Sequence, residues 1–277
     1  MSTVRLLLVT SLAMLAFAGN SLLNRAGLLQ HDIDPISFAA IRLLSGVLML
    51  WLLVAWRSRR TPPRPDWRAA VALFAYLAGF SLAYLDLSAA MGALLLFGAV
   101  QVTMMAAGLL AGERLRLPAA LGMLAALAGM LVLLLPGASA PALLPAGWML
   151  LAGIAWGLYS LRGRTASDAL AQTAVNFLCA LPLMVPLLLW RWPLLQLDGM
   201  GTFYALLSGA LTSAIGYALW YSVVPQLGAT RAATVQLSVP LITAAGGVVL
   251  LGEAIHWRLL VAMPLVLGGI ALVLRQR

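Results

Sequence analysis

The chain has 277 residues, 63% of them apolar and 9% charged, with 17 basic side chains against 8 acids and a formal net charge of +9. Soluble domains carry roughly a quarter charged residues, so this chain has too few to cover a water-facing surface. Its apolar runs have instead the length, about 20 residues, that a bilayer core demands of spanning helices.

The basic balance therefore does not imply nucleic acid. All 17 cations are arginines in or near short loops, the pattern of the positive-inside rule. Without lysine there is no G-x-x-x-x-G-K-[ST] loop for nucleotide hydrolysis. The single Cys179 cannot form an internal disulfide, and no Cys/His spacing suggests a metal site.

Breaking the chain at charges, prolines and glycines predicts ten apolar helices. The first covers about 4–28. Arg5 and the Ala16-Phe17-Ala18 triplet imitate a signal peptide with its cleavage site, but the apolar run continues to about Leu29, so it reads as a span. It carries Asn20 and Asn24. The second helix, 36–56, has Arg42 just inside it, expected to snorkel toward headgroups or water. The loop 57–68, RSRRTPPRPDWR, holds five arginines, and the third helix follows at 67–87. There Tyr76, Phe80 and Tyr84 recur every four residues and share a face.

The fourth helix, 90–111, contains Gln101 and Thr103 and ends before Gly112-Glu113; the fifth covers 116–136. On the sixth, 146–164, Trp156, Tyr159 and Ser160 share a face. The seventh, 170–190, holds Cys179, expected to be a buried spectator. The eighth, 200–223, carries a stripe of Ser213, Tyr217, Trp220 and Tyr221. The ninth, 229–251, has Gln236, Ser238 and Thr243, with Pro240 one turn after Gln236. A proline there is expected to free a carbonyl, kink the helix and act as a hinge. The tenth covers 257–275. Placing the 57–68 loop in the cytoplasm puts both termini inside, with thirteen arginines on that side; Arg25, Arg42, Arg191 and Arg258 fall near the other face.

A self-comparison relates the two halves. An offset of 140 residues superposes Gly112-Glu113 on Gly252-Glu253, Thr103 on Thr243, Met123 on Met263, Leu127 on Leu267, and Gly129 on Gly269. An offset of 139 aligns LAFAGNSLLNR with GIAWGLYSLRGR, matching Arg25 with Arg164. The expected architecture is thus all-α: a polytopic membrane protein of ten transmembrane helices as two inverted five-helix repeats, 1–138 and 142–277, forming one membrane domain. Five helices per half is odd, so the second half enters the bilayer from the opposite side, a layout typical of secondary transporters.

The 5+5 layout, the Gly-Glu pairs closing helices four and nine, and the L-x-x-x-G-x-x-L-V-L-type runs after them resemble the drug/metabolite transporter superfamily. Within it the chain is similar to EamA-type members and to YddG-like aromatic amino-acid exporters. It departs from many EamA-type first helices in having Phe17-Ala18 where they carry Trp-Gly; Trp156-Gly157 stands only in helix six. The resemblance implies a basket in which helices 1, 3, 4, 6, 8 and 9 surround a central cavity.

Six of the nine tryptophans lie at segment ends, where interfacial anchoring explains them; Trp156 and Trp220 lie deeper. The deep aromatic faces suit a pocket for apolar or planar groups, and amides within spans should face a protein interior or a wet cavity. The candidate substrate-binding set is Asn20, Tyr76, Phe80, Tyr84, Gln101, Trp156, Tyr159, Tyr217, Trp220, Gln236 and Ser238, with Pro240 as hinge. Small residues at i, i+4 (Gly79/Ala83, Gly153/Gly157, Gly209/Ser213) are expected to pack helices closely.

No acid falls near the middle of a span. Glu113 and Glu253 end helices, with Glu113 expected to pair locally with Arg114 or Arg116, and the aspartates lie in loops or interfaces. A buried carboxylate for proton/cation exchange is missing. The expected function is facilitated export of aromatic or hydrophobic amino acids by alternating access in a bacterial-type inner membrane, with no cofactor, no metal and no catalysis. The expected partners are a small-molecule substrate and the lipid bilayer, with no nucleic acid and no obligatory protein. The second reading is export of other small metabolites or lipophilic drugs, including proton-coupled export. A membrane enzyme ranks behind both, since His31 and His256 are lone loop residues.

Overall fold

The computed structural model describes residues 2–57, 63–110, 117–135, 141–163, 166 and 168–274. Glu113, Arg114, Arg116 and Arg164 fall outside them. The elements are α1 (Thr3–Gln30), α2 (Pro35–Arg57), α3 (Trp67–Ala83), α4 (Ala89–Leu110), α5 (Leu117–Leu134), α6 (Leu143–Gly163) and α7 (Ala169–Arg191). Then come α8 (Gly199–Leu207), a π-helical stretch (Ser208–Ile215), α9 (Gly216–Gln236), α10 (Ser238–Leu251) and α11 (Trp257–Leu274). α8, the π stretch and α9 form one continuous rod, so the described residues make ten rods and no strand. Among the described residues, six helices are long and apolar enough to cross a bilayer, and four further apolar helices are shorter.

The loop aspartates explain where helices begin. Asp66 accepts from the backbone N–H groups of Arg68 and Ala69, Asp168 from Ala171 and Asp198 from Gly201. Asp34 accepts from Ile36 and Ser37 ahead of α2, where Pro35, having no N–H, needs no acceptor. Each carboxylate satisfies N–H groups that the first helical turn leaves unpaired. Four of the aspartates therefore start helices.

The repeat is visible in the packing. α1 packs against α8, the π stretch, α9 and α10, while α6 packs against α3 and α4; α2 faces α7, and α5 lies along α11. Exchanging the halves maps the contacts of α1 onto those of α6 and the α2–α7 and α5–α11 contacts onto themselves. The glycines matched by the 140-residue offset meet reciprocally. A Cβ on Gly129 would lie 3.0 Å from the Ala262 carbonyl, and one on Gly269 would collide with the carbonyl of Gly122. Gly122 and Ala262 are themselves 140 apart. Such approaches are open only to residues without a side chain.

Three expectations change. The chain stays helical through Pro225 to Gln236, and the break comes at Leu237, not between residues 223 and 229. Pro240 consequently sits in the first turn of α10, where its missing N–H costs nothing, so it does not kink the middle of a span. Cys179 is half-exposed on α7 rather than buried.

Gly252 and Glu253 have distinct tasks. Gly252 closes α10 at φ +66°, left-handed backbone that favours glycine, and the Glu253 N–H then donates to the Gly247 carbonyl. That turn directs the Glu253 carboxylate back across the bundle. Its Oε1 pairs with Arg25 Nε at 3.0 Å, and its Oε2 accepts from the Ala89 N–H, the first residue of α4. Arg25 also donates to the carbonyls of Tyr84 and Leu85. One acid and one base thus tie α1, α10 and the α3–α4 turn together at one end of the bundle. α4 is buried from Ala89 to Gln101 at this end, while its remainder, towards Leu110, is mostly half-exposed or exposed.

Candidate functional site

Aromatic side chains from four helices meet between the halves. On α3 the rings of Tyr84, Phe80 and Tyr76 follow one another at centroid distances of 4.8 and 5.3 Å. Tyr76 continues to Trp156 of α6 at 4.9 Å, and Trp156 to Tyr217 of α9 at 5.2 Å. Phe17 of α1 closes the series, edge-on to Tyr217 at 5.9 Å and to Trp220 at 5.7 Å. These are the offset and edge-to-face spacings that aromatic pairs prefer.

Beside this series lies a small cavity of about 20 Å³, room for about one water molecule. Phe17, Asn20 and Ser21 of α1 form one wall, and Tyr76 and Phe80 of α3 another. Leu96 and Phe97 of α4, with Trp156 and Tyr217, complete it. Five of the six predicted helices named for a central basket contribute; the predicted ninth, 229–251, does not.

The π stretch supplies the polar cluster that holds Asn20, a residue of the cavity lining. The Asn20 Oδ1 lies 2.6–3.1 Å from the hydroxyls of Ser208, Thr212 and Ser213, and its Nδ2 donates to the Thr212 carbonyl. A π-helix widens the turn and sets successive hydroxyls where an α-helix would not, so all three converge on one amide oxygen. Ser213 also accepts from Arg42 Nε at 3.1 Å, and Arg42 Nη2 donates to the Tyr76 hydroxyl at 3.0 Å. Arg42 is fully buried. The expectation that it snorkels to the surface is overturned: α2 presses its Arg42–Ser45 turn against Gly209 of the π stretch, which turns the guanidinium inward.

A model of the EamA-like transporter family matches residues 5–135 and again residues 143–275. The chain belongs to this family. The two matches divide it into the halves that the packing relates. The chain is 59% identical over 274 residues to a Pseudomonas aeruginosa protein named only as uncharacterized, covering 99% of this chain and 96% of that one. A solved crystal structure matches with a TM-score of 0.69 at 19% identity, covering 96% of this chain and 94% of that one, a likeness of fold alone.

Of the residues expected at the EamA-family site, Asn20, Tyr76, Phe80, Trp156 and Tyr217 line the cavity. Tyr84, Tyr159 and Trp220 lie one ring further out, each against a lining aromatic. Gln101 is buried on α4, a turn beyond Phe97. Gln236 ends α9 half-buried, and the Ser238 hydroxyl donates to the Val235 carbonyl, so both belong to the α9–α10 break. Phe17, Ser21, Leu96, Phe97 and Arg42 were not anticipated. Phe17 carried a signal: it is the mate of Trp156 under the 139-residue offset.

Proposed function

We propose that this EamA-family protein exports aromatic and other hydrophobic amino acids across a bacterial-type inner membrane by facilitated alternating access. The observation that carries this reading is the aromatic-walled cavity between the halves. Its apolar lining suits a planar or branched side chain, and no acidic side chain lines it among the described residues. A carrier driven by proton exchange would need such a group.

Both termini lie in the cytoplasm on this reading, because the 57–68 loop carries five arginines. The Arg25–Glu253 end is then periplasmic and closed, and the looser half of α4 faces the cytoplasm. The halves, 1–138 and 142–277, are the bodies that rock about the cavity.

The test is uptake of single labelled amino acids into proteoliposomes, with and without a pH gradient. Saturable uptake of phenylalanine or tryptophan without a gradient is expected. Uptake confined to the gradient would replace facilitation by coupling, and uptake of only non-amino-acid metabolites or lipophilic drugs would replace the substrate. Trp156→Ala removes the ring that links Tyr76 to Tyr217. It should raise the KM for aromatic amino acids by about tenfold, roughly 1.4 kcal/mol, with a smaller effect on leucine. An unchanged KM for all of them would move the binding site away from this cavity.

A further inference from the structure

Arg42 is one of the largest fully buried side chains in the chain, on a helix long and apolar enough to span a bilayer. The ion pairs among the described residues are Arg25–Glu253, His31–Asp198 and Arg162–Asp66. None involves Arg42. A permanent charge withheld from water without a counter-ion is costly, and such a group inside a span marks function by default.

Its surroundings moderate the charge without neutralising it. The guanidinium lies 4.9 Å from the Phe80 ring centroid and 5.4 Å from that of Tyr76. Nε donates to Ser213 and Nη2 to Tyr76, while Nη1 is buried with no acceptor among the described residues.

The polarity of the hydrogen bonds identifies what is missing. Ser213 spends its proton on Asn20, so it can only accept from Arg42. The Tyr76 oxygen accepts from Arg42, which leaves the phenol's own proton to donate. Tyr217 lines the cavity, and its buried hydroxyl has no partner among the described residues. Tyr76 and Tyr217 line the mostly apolar cavity, and the Arg42 charge lies directly behind Tyr76 and Phe80, so the site holds a positive charge and three donors: Arg42 Nη1, the Tyr76 hydroxyl and the Tyr217 hydroxyl. It offers no anion to an ammonium group.

We propose that Arg42, with Tyr76 and Tyr217, is the subsite for the carboxylate of the transported molecule. The protein then carries monocarboxylates with an aromatic or apolar body, whether or not they bear an amino group. This rests on the export reading above and extends it: the carboxylate is the recognised group and the amine is dispensable. A guanidinium and phenols suit a carboxylate because both present N–H or O–H to its oxygens.

The experiment is ligand binding to the purified full-length protein in lipid nanodiscs, with labelled phenylalanine and, separately, labelled 3-phenylpropionate. Unlabelled phenylalaninamide and phenethylamine serve as competitors. Both carboxylates are expected to bind with similar affinity, and both amines to compete at least about 30-fold more weakly. Tyr217→Phe, which removes one hydroxyl, should weaken both carboxylates by about fivefold, and Arg42→Gln should abolish the preference over the amines.

Amines that compete as well as phenylalanine would overturn the subsite and leave Arg42 a strut between α2, α3 and the π stretch, with the export reading intact. Binding of 3-phenylpropionate but not phenylalanine would uphold the subsite while removing amino acids from the substrate list. If neither labelled acid binds, both readings fall. The wild-type ligand series decides these outcomes even if Arg42→Gln fails to fold.

Discussion

Replacing Glu253 with alanine is expected to cost about 3 kcal/mol of stability, the lower end of what breaking a buried ion pair from one side costs. The pair is well shielded, with side-chain exposures of 11% for Arg25 and 10% for Glu253. Removing the acid leaves the Arg25 charge with only the Tyr84 and Leu85 carbonyls and strips the Ala89 N–H of its acceptor. Glu253→Gln keeps an acceptor for Ala89 but loses the charge, so it should fall between wild type and alanine. Thermal unfolding of the purified variants measures this. The double variant Arg25→Ala/Glu253→Ala should be more stable than the sum of the single losses implies, because no orphan charge remains. If the single Glu253→Ala change leaves Tm at the wild-type value, the tie between α1, α4 and α10 contributes nothing.

Gly209→Val is expected to have the second large effect, a destabilisation of about 3 kcal/mol together with loss of transport. A Cβ at Gly209 would collide with the Arg42 carbonyl and the Ser45 hydroxyl, and one of these is backbone that cannot rotate away. Relief requires α2 to move off the π stretch, which carries Arg42 away from Ser213 and Tyr76. Gly268→Ala is the control: nothing lies within 4 Å of its added Cβ, and it sits within α11. Replacing glycine by alanine inside a helix should stabilise by about 0.5–1 kcal/mol. Equal Tm values for the two variants would mean that the close α2–π contact does not constrain the fold.

Much of the architecture is written in apolar runs and in the repeat, because a bilayer imposes length on every span and duplication copies residues at a fixed offset. Gly129 and Gly269 stand out in sequence as a matched pair, and they meet reciprocal carbonyls in the structure. The aromatic faces of α3 and α6 are equally legible, since Tyr76, Phe80 and Trp156 follow plain α-helical spacing. The rod containing α8 and α9 is not. An α-helical period groups Ser213, Tyr217, Trp220 and Tyr221 on one stripe. The π stretch breaks that period between Ser213 and Tyr217, so Ser213 bonds to Asn20 while Tyr217 joins the cavity wall and Trp220 packs on Phe17.

Arg42 was misread for a different reason. Position near a helix end suggests snorkelling, and only the tertiary contact at Gly209 reveals that the side chain has no way out. Likewise Glu253 is an unremarkable helix-end acid until Gly252 turns it toward Arg25, a residue 228 positions away. Long-range polar partners leave no periodic trace in a sequence.

The π stretch bears finally on the alternating access proposed above, in which the two halves exchange roles. Its counterpart in the first half, α3, is regular α-helix to Ala83, so the scaffold is duplicated but not superposable at this helix. A π turn holds more residues than an α turn and resists conversion without slipping the register of everything beyond it. In the cycle proposed above, the facing-in and facing-out forms would therefore not be symmetry-equivalent, and nothing requires them to have equal free energy. A passive carrier with unequal end states rests on one side of the membrane and has different half-saturation concentrations at its two faces. Detailed balance still holds the ratio of maximal rate to half-saturation equal in both directions. If the proposed facilitated cycle holds, directionality is a matter of occupancy, set by one irregular helix, while the gradient alone decides net flow.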